Sequence, residues 1–399
     1  MLSVGRVQTP TLALVVRRDE AIEQFKARDY YELAADVVTD SARLTLRYAP
    51  GEDARLYDQA AAEALVVRAT GARGPLKVTS ERKHSAPPKL FSLLTLQASA
   101  NKKWGWSADK TLKTAQGLYE THKATSYPRS DCSYLPNEQE ANVPAILKHL
   151  SGVTDLRVHA QIETPEIRKS VFDSKKITAH HAIIPTTQAA PWDQMDDNEK
   201  NLYLLIARHY LAALHPDYEY QQTIIAMDAN GVSFKATGKT PLVAGWHTVF
   251  GDAVEDDDQD KEALPTLPPI QDGAPGHAET VRVESRRTTP PARYTEGTLL
   301  KDMAAIAKYV DDPQLKARLK ETSGIGTEAT RASILEILKK RDFLQASGKA
   351  IISSPTGRAL IAALPHELAD PGETALWEDR LEAIVEGKKP SRGFLPASM

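Results

Sequence analysis

Helical spacing of apolar residues predicts that the chain begins with an amphipathic helix. Thr9 followed by Pro10 is a favourable helix start, because a capping side chain precedes a ring that pre-sets φ. Apolar residues then recur on one face, namely Leu12, Val15, Val16, Ile22 and Phe25. We therefore expect a helix from Thr9 to about Lys26.

Two separated stretches alternate between apolar and polar residues in the way that is typical of β-strands. One covers residues 30–48 and the other residues 222–236. In the second stretch, Asn230 and Gly231 form a dipeptide that favours a tight hairpin turn. We expect both stretches to belong to one sheet domain.

The interval between them, residues 92–215, is predicted to be mostly helical. Ser107 is placed to cap a helix that runs to about Thr121, and a second apolar stripe covers residues 199–214. The inner faces of these two helices are expected to consist of Leu112, Ala115, Leu118, Leu202, Leu205, Ile206 and Tyr210. The simplest topology is an all-α insertion between two halves of a β-rich domain, which gives an α+β fold class.

The region from Thr295 to the C-terminus is again predicted to be helical. Its clearest helical patterns lie at residues 329–340 and 375–386. An acidic run and a proline-rich stretch separate this region from the second β stretch.

Length and composition indicate a folded protein of two or three domains. The chain has 399 residues, of which 41% are hydrophobic, enough to fill real cores. No stretch approaches the roughly 18 apolar residues of a membrane-spanning helix, so we expect a soluble chain with no membrane partner. Cys132 is the sole cysteine and cannot form an internal disulfide, so a reducing cytoplasm is the expected location.

The distribution of charge changes what the net charge of −3 implies. Residues 252–262 contain seven acidic residues against one lysine, a local charge of −6, which leaves +3 on the rest of the chain. The body of the protein is therefore mildly basic, which is compatible with nucleic-acid binding. The acidic run is expected to be a solvated loop, and we predict no metal site from it.

A candidate nucleophile follows the first predicted helix of the insertion, in the segment TSYPRSDCSYLP at residues 125–136. Pro128 disfavours helical geometry at Tyr127, so the tyrosine is expected on an extended connector with Arg129 beside it. A phenol with a reference pKa near 10 is a poor nucleophile, and a guanidinium could stabilise the phenolate or the attacked phosphate. The alternative is a packing tyrosine next to a surface arginine.

This segment resembles the active-site signature of type IA DNA topoisomerases, especially the topoisomerase III branch. Five further segments resemble stretches of the same family in the same order, at residues 3–12, 87–97, 179–186, 290–303 and 323–344. The resemblance implies that Tyr127 forms a covalent bond to a DNA 5′ phosphate. It also implies that single-stranded DNA is the partner and that no ATP is required.

Roles for other side chains follow from the resemblance and from the chemistry of phosphate binding. Arg129 and His180 are expected to stabilise the reacting phosphate, since His180 can donate hydrogen bonds or protons near neutral pH. Residues with expected DNA contacts are Arg6, Gln8, Gln97, Thr327 and Arg331. Each has a plain structural alternative: a lone histidine is more often a satisfied core residue, and Thr327 can simply cap a helix.

The family architecture implies a mainly helical toroid of four domains around a central hole, of which this chain would supply domains II, III and IV. The expected segments are 1–29 and 290–399 for helical DNA-binding domain IV, 30–85 and 217–289 for β-rich hinge domain II, and 86–216 for helical domain III with the tyrosine.

The family's Toprim domain normally precedes the motif that starts here at residue 3. We therefore expect the chain to be a fragment that needs a Toprim domain for full activity, and a Toprim-containing partner chain is one expected source of it. Mg²⁺ is expected for the complete enzyme, with its ligands outside this chain. Two other functions stay open: a catalytically silent clamp on single-stranded DNA, and an architectural partner that does not bind DNA at all.

Overall fold

The structure is a computed structural model that describes residues 5–51, 55–177, 179–251, 264–321 and 324–372. The acidic run at residues 252–262 and the helix predicted at 375–386 lie outside the described residues.

A seven-stranded antiparallel sheet unites the two β stretches that the sequence separates. Its order is β3-β7-β1-β2-β6-β5-β4. The strands are β1 (Asp29–Val38), β2 (Arg43–Tyr48), β3 (Arg73–Pro75), β4 (Lys77–Ser85), β5 (Tyr218–Asp228), β6 (Ser233–Val243) and β7 (Pro275–Arg287). The prediction of one sheet is confirmed, because β2 pairs with β6 across the helical insertion.

The predicted hairpin turn is present between β5 and β6. Asn230 has φ 57° and Gly231 has φ 77°, the left-handed conformation that both central residues of such a turn need. The Asp228 side chain accepts a hydrogen bond from the Gly231 N–H at 2.7 Å, which fixes the turn further.

Helices occur in the insertion, beside the sheet and in the C-terminal region of the described chain. The bounds are α1 (Gln8–Glu23), α2 (Gln59–Ala69), α3 (Leu93–Trp104), α4 (Ala108–Glu120), α5 (Val143–Leu150), α6 (Arg157–Ala160), α7 (Asp197–Leu214), α8 (His247–Phe250), α9 (Glu296–Ala304), α10 (Pro313–Glu321), α11 (Glu328–Lys340), α12 (Pro355–Ala363) and α13 (His366–Ala369). Helices α4 and α7 begin close to their predicted starts, and Ser107 caps α4 as expected. The α+β fold class is confirmed.

Three apolar cores hold these elements together. The first lies in the helical insertion and contains all the inner-face residues predicted for α4 and α7. The second joins α1 to helices α9, α11 and α12, and the third lies against the sheet, with α2 packed on it. Ala108 of α4 belongs to the second core, so the insertion and the C-terminal helices share a packed contact.

The prediction for the ends of α1 was wrong by a few residues. The helix begins at Gln8 with no side-chain cap and ends at Glu23 rather than Lys26. The Thr9 hydroxyl instead accepts a hydrogen bond from the Gly5 N–H at 3.0 Å and so secures the chain before the helix. Pro10 is tolerated within the first turn because an N–H there needs no intrahelical acceptor.

The prediction that the region after Thr295 is helical missed one β-hairpin. Strands β8 (Leu344–Ser347) and β9 (Ala350–Ser353) form a hairpin between α11 and α12. Gly348 at its turn has φ 60°, and Leu344 and Ile351 are buried in the second core. The two strands are only four residues each, too short for their alternation to stand out beside helical patterns.

Candidate active site

The connector that carries Tyr127 is held against the segment that carries His180. The Ser126 N–H donates to the Ile184 carbonyl and the Ser126 hydroxyl to the Ala182 carbonyl, both at 2.9 Å. In return the Ile184 N–H donates to the Ser126 hydroxyl at 3.0 Å. Two segments that lie more than 50 residues apart in sequence are thereby joined beside the tyrosine.

Tyr127 lies between two aromatic neighbours and is half-buried. Its ring centroid is 4.4 Å from that of exposed His180, at an interplanar angle of 43°. On another side Tyr119 of α4 meets the ring edge-on, with centroids 5.6 Å apart and an angle of 81°. The structure therefore brings the predicted nucleophile and the predicted assisting histidine into direct contact.

Arg129 is exposed, but the extended geometry expected around it is not present. The chain bends at Pro128 and Arg129, and Pro128 is buried. Because the backbone bends, the alternation of an extended strand does not determine where the Arg129 side chain points. Its role at the phosphate stays a prediction.

The residues after Arg129 pack onto the start of α3. The Ser130 carbonyl accepts from the Leu93 N–H at 2.8 Å, and the Ser130 hydroxyl accepts from the Cys132 N–H at 3.1 Å. Burial raises the pKa of the Cys132 thiol, so this cysteine is a poor nucleophile despite its closeness in sequence to Tyr127.

Two glutamates from the C-terminal helices cap the first two helices of the insertion. The Glu328 carboxylate accepts from the Leu94 N–H at 3.0 Å and from the Ser92 hydroxyl at 3.3 Å, at the start of α3. The Glu296 carboxylate accepts from the Ala108 N–H at 2.8 Å, at the start of α4. A carboxylate at a helix N-terminus is favoured by the helix dipole as well as by these bonds. Sequence analysis did not single out either glutamate, since a cap supplied from a distant segment leaves no local signal.

Glu328 also shows how closely the signature segments approach one another. Burial raises the pKa of its carboxyl, while the Leu94 N–H and the Arg331 guanidinium act to lower it and Asp131 of the tyrosine connector acts to raise it. The start of α11, the start of α3 and the connector therefore lie within electrostatic reach of one another.

The turn before α11 is built as the sequence predicts. Gly324 has φ 92° and Gly326 has φ 67°, and Thr327 is the residue that precedes the helix. The Thr327 N–H donates to the Thr330 hydroxyl at 3.0 Å, which satisfies one of the free donors at the helix start. A Cβ added at Gly326 would lie 3.2 Å from the Val7 side chain, so the segment with Arg6 and Gln8 adjoins this turn.

The residues with predicted DNA contacts differ in exposure. Arg6 and Thr327 are exposed and Gln8 is half-buried. Gln97 is 1% exposed and donates through Nε2 to the Ala108 carbonyl at 3.0 Å. Arg331 is likewise 1% exposed and donates through Nε to the Ile325 carbonyl at 3.1 Å, within the glycine turn. Burial lowers the pKa of its guanidinium from the ordinary value.

Gly324→Ala is expected to destabilise the fold more than Gly231→Ala, although both glycines have positive φ. Left-handed backbone alone costs a non-glycine residue about 1–2 kcal/mol, and this is the expected loss at Gly231, where an added Cβ meets nothing within 4 Å. At Gly324 the same atom would lie 2.3 Å from the Met303 carbonyl oxygen, which adds about 1–3 kcal/mol. Urea unfolding followed by tryptophan fluorescence measures both losses, and equal losses would contradict the prediction.

Comparison with known proteins decides the family. A family model described as DNA topoisomerase matches residues 1–395. The chain belongs to the DNA topoisomerase family. Within this family it is type IA and topoisomerase III-like, as the motif resemblance predicts.

Curated relatives named DNA topoisomerase 3 match almost the entire chain. The protein from Salmonella typhimurium is 41% identical over 99% of this chain and 62% of its own length. The protein from Haemophilus influenzae is 40% identical over 99% of this chain and 63% of its own length, and that from Bacillus cereus is 37% identical over 99% and 55%. The chain thus spans between about half and two thirds of the length of these topoisomerases.

A solved structure shares the fold. Full-length topoisomerase I from Thermotoga maritima superposes with a TM-score of 0.68 over 98% of this chain and 60% of that chain, at 24% identity. At this identity the likeness supports the architecture alone.

Among the described residues, no helix is long and apolar enough to cross a membrane.

Proposed function

We propose that this chain carries the DNA-cleaving half of a type IA topoisomerase and opens one DNA strand through Tyr127. The observation that supports this most directly is the contact between the Tyr127 ring and the His180 ring on a connector that hydrogen bonds tie to residues 182–184. The half-buried Tyr127 ring has two aromatic neighbours, which restrict its orientation. A nucleophile must be held in a fixed orientation to reach the atom that it attacks.

The proposed reaction is a transesterification. The Tyr127 oxygen attacks the phosphorus of a DNA phosphodiester, a bond forms between these atoms, and the bond from phosphorus to the 3′ oxygen breaks. The phenolic proton leaves, and the departing 3′ oxygen takes up a proton. Because one phosphoester bond replaces another, the reverse attack of the 3′ hydroxyl reseals the strand without ATP.

His180 and Arg129 are the proposed partners of the reacting phosphate. The imidazole of His180, whose ring centroid lies 4.4 Å from that of Tyr127, can donate to a phosphate oxygen or to the leaving 3′ oxygen. Arg129 adds an exposed positive charge two residues after the nucleophile.

The strand is proposed to follow exposed Arg6 and Thr327 and half-buried Gln8 at the start of α1 and α11, where helix N-termini favour phosphate. Gln97 and Arg331 remain predicted DNA-binding residues, but their burial favours an indirect role in holding α3, α4 and the glycine turn.

The side chains that the structure describes form no cluster suited to Mg²⁺. The described residues contain no group of three or more histidine, cysteine, aspartate or glutamate side chains placed to hold a metal ion. We propose that the ion and a further acid–base group belong to a Toprim domain, either covalently attached or on a partner chain, so no step above passes through them. A cytoplasmic location, proposed from the single cysteine, suits such a DNA-processing enzyme.

End-labelled DNA tests the proposal. A single-stranded oligonucleotide, labelled at either end, is incubated with the chain, Mg²⁺ and a type IA Toprim domain added in trans, and the denatured mixture is separated by gel electrophoresis. A 5′-phosphotyrosine retains the downstream fragment, so the 3′ label is expected on the protein and the 5′ label on free DNA.

Three results would overturn the proposal or narrow it. Transfer of the 5′ label would mean the opposite linkage and would overturn the assigned chemistry. Binding of the oligonucleotide without any adduct would favour the silent clamp. Absence of salt-dependent DNA binding would favour an architectural role.

A further inference from the structure

The connector carries a second tyrosine, Tyr134, seven residues after Tyr127. Two lysines surround its half-buried ring. The Lys176 ammonium donates to the Tyr134 hydroxyl at 3.1 Å and lies 4.4 Å from the ring centroid. The Lys89 ammonium lies 5.7 Å from the same centroid. Tyr134, Lys176 and Lys89 form what we call the Tyr134 cluster.

The cluster has positive charge that nothing in the described part of the chain neutralises by direct contact. Neither lysine forms an ion pair with a carboxylate within 4.0 Å there. Asp173 acts on Lys176 only from a distance, and the hydrogen bond to Tyr134 is the main reason that the pKa of Lys176 is raised. The same hydrogen bond lowers the pKa of the Tyr134 phenol. The exposed Lys176 ammonium is therefore charged at neutral pH.

The cluster adjoins the Tyr127 site. The Ala182 N–H donates to the Tyr134 carbonyl at 2.9 Å, while His180, two residues earlier, contacts the Tyr127 ring. Both tyrosines are thus fixed to the same three-residue stretch. Lys89 also lines a cavity of about 410 Å³ together with Ser133 and Lys301, so there is room for a ligand next to the cluster.

We propose that Lys89, Tyr134 and Lys176 form a second phosphate-binding subsite for single-stranded DNA. The Tyr134 oxygen already accepts from Lys176, so its own O–H is left to donate to an anion, beside the N–H donors of two ammonium groups. The ring face offers a surface on which a neighbouring base can stack. The subsite rests on the proposed function, since it would hold the strand that Tyr127 cleaves one or more nucleotides away.

Salt-dependent binding tests the subsite. The affinity of the full chain for a fluorescent oligothymidylate is measured by anisotropy without Mg²⁺ at several KCl concentrations. The double variant Lys89→Ala/Lys176→Ala is expected to make the negative slope of log affinity against log salt shallower by about 0.7–1.4. This is the change expected when one or two phosphate contacts to a single strand are lost. Tyr134→Phe keeps both charges and is expected to weaken binding roughly two- to tenfold at an unchanged slope.

Matched variants separate the subsite from a general loss of charge. Lys77→Ala/Lys235→Ala removes the same charge from two exposed positions of the seven-stranded sheet, both of which pair with Ala226. This variant is expected to leave the slope unchanged. Lys89→Arg/Lys176→Arg keeps the charge and is expected to retain the parental slope. Circular dichroism melts confirm that each variant folds.

An unchanged slope in the Lys89→Ala/Lys176→Ala variant, or an equal reduction in the Lys77→Ala/Lys235→Ala control, overturns the subsite. The adduct assay is independent of this result. If the parent chain forms the adduct and the Lys89→Ala/Lys176→Ala variant has an unchanged slope, the subsite proposal is wrong and the cleavage proposal stands. If the slope is reduced but the parent chain forms no adduct, the subsite proposal is supported and the cleavage proposal is wrong.

Discussion

Tyr127→Phe is expected to abolish the covalent DNA adduct while the affinity for single-stranded DNA stays close to that of the parent chain. Phenylalanine retains the ring that contacts His180 and Tyr119, so the connector keeps its packing. The variant lacks the oxygen that would form the bond to phosphorus, and loss of a covalent nucleophile costs on the order of 10⁴-fold or more in rate. Adduct formation is measured on denaturing gels and affinity by anisotropy.

Tyr119→Phe is the matched control, because it removes the same atom from a neighbouring tyrosine whose ring centroid is 5.6 Å from that of Tyr127. It is expected to form the adduct at a rate within a few-fold of the parent chain. If the Tyr127→Phe variant forms the adduct, or if only the Tyr119→Phe variant loses it, Tyr127 is not the nucleophile.

Asp19→Ala is expected to lower the free energy of unfolding by about 2–4 kcal/mol, because it removes a buried carboxylate that accepts from Ser353, while the partly exposed Arg293 and Arg358 regain water. Asp19 is 1% exposed on α1 and holds several groups from the C-terminal region. One carboxylate oxygen accepts from Arg293, and the other accepts from both the N–H and the hydroxyl of Ser353 at 2.7 Å. Arg358 lies 3.7 Å away. Alanine would leave this buried N–H and the two guanidinium groups without their shared acceptor.

Glu23→Ala on the same helix is the control for Asp19→Ala. Glu23 also pairs with Arg358, but its side chain is 47% exposed, so water replaces the lost contact and little change in stability is expected. Urea unfolding of both variants provides the comparison. Should Asp19→Ala fail to fold, Asp19→Asn, which keeps an acceptor for Ser353, is expected to be intermediate. Equal stability of the Asp19→Ala and Glu23→Ala variants would contradict the assigned role of Asp19.

Local sequence signals were sufficient for the elements whose cause is local. The Asn230-Gly231 turn, the Ser107 cap and the break at Pro128 each depend on the conformational preferences of one to three consecutive residues. The apolar stripe of α7 likewise predicted its buried face, because helical spacing alone determines which residues share a side. The motif around Tyr127 then indicated the family, which the comparison with known proteins confirmed.

Local signals did not predict short strands whose sequence also fits a helix, nor the exact end of a helix that has no side-chain cap. The β8–β9 hairpin was missed because four residues of alternation also fit a helical pattern. The start of α1 was misplaced because the Thr9 hydroxyl binds the Gly5 N–H before the helix instead of capping it.

By itself, therefore, the sequence determined the class of fold, the order of the main elements and the identity of the candidate nucleophile. Only the tertiary structure decided that Glu328 and Glu296 cap helices 234 and 188 residues away, that Gln97 and Arg331 are buried, and that Lys176 reaches Tyr134. The physical reason is that each of these features depends on which distant segments pack together. Residue patterns within a single segment do not show that packing.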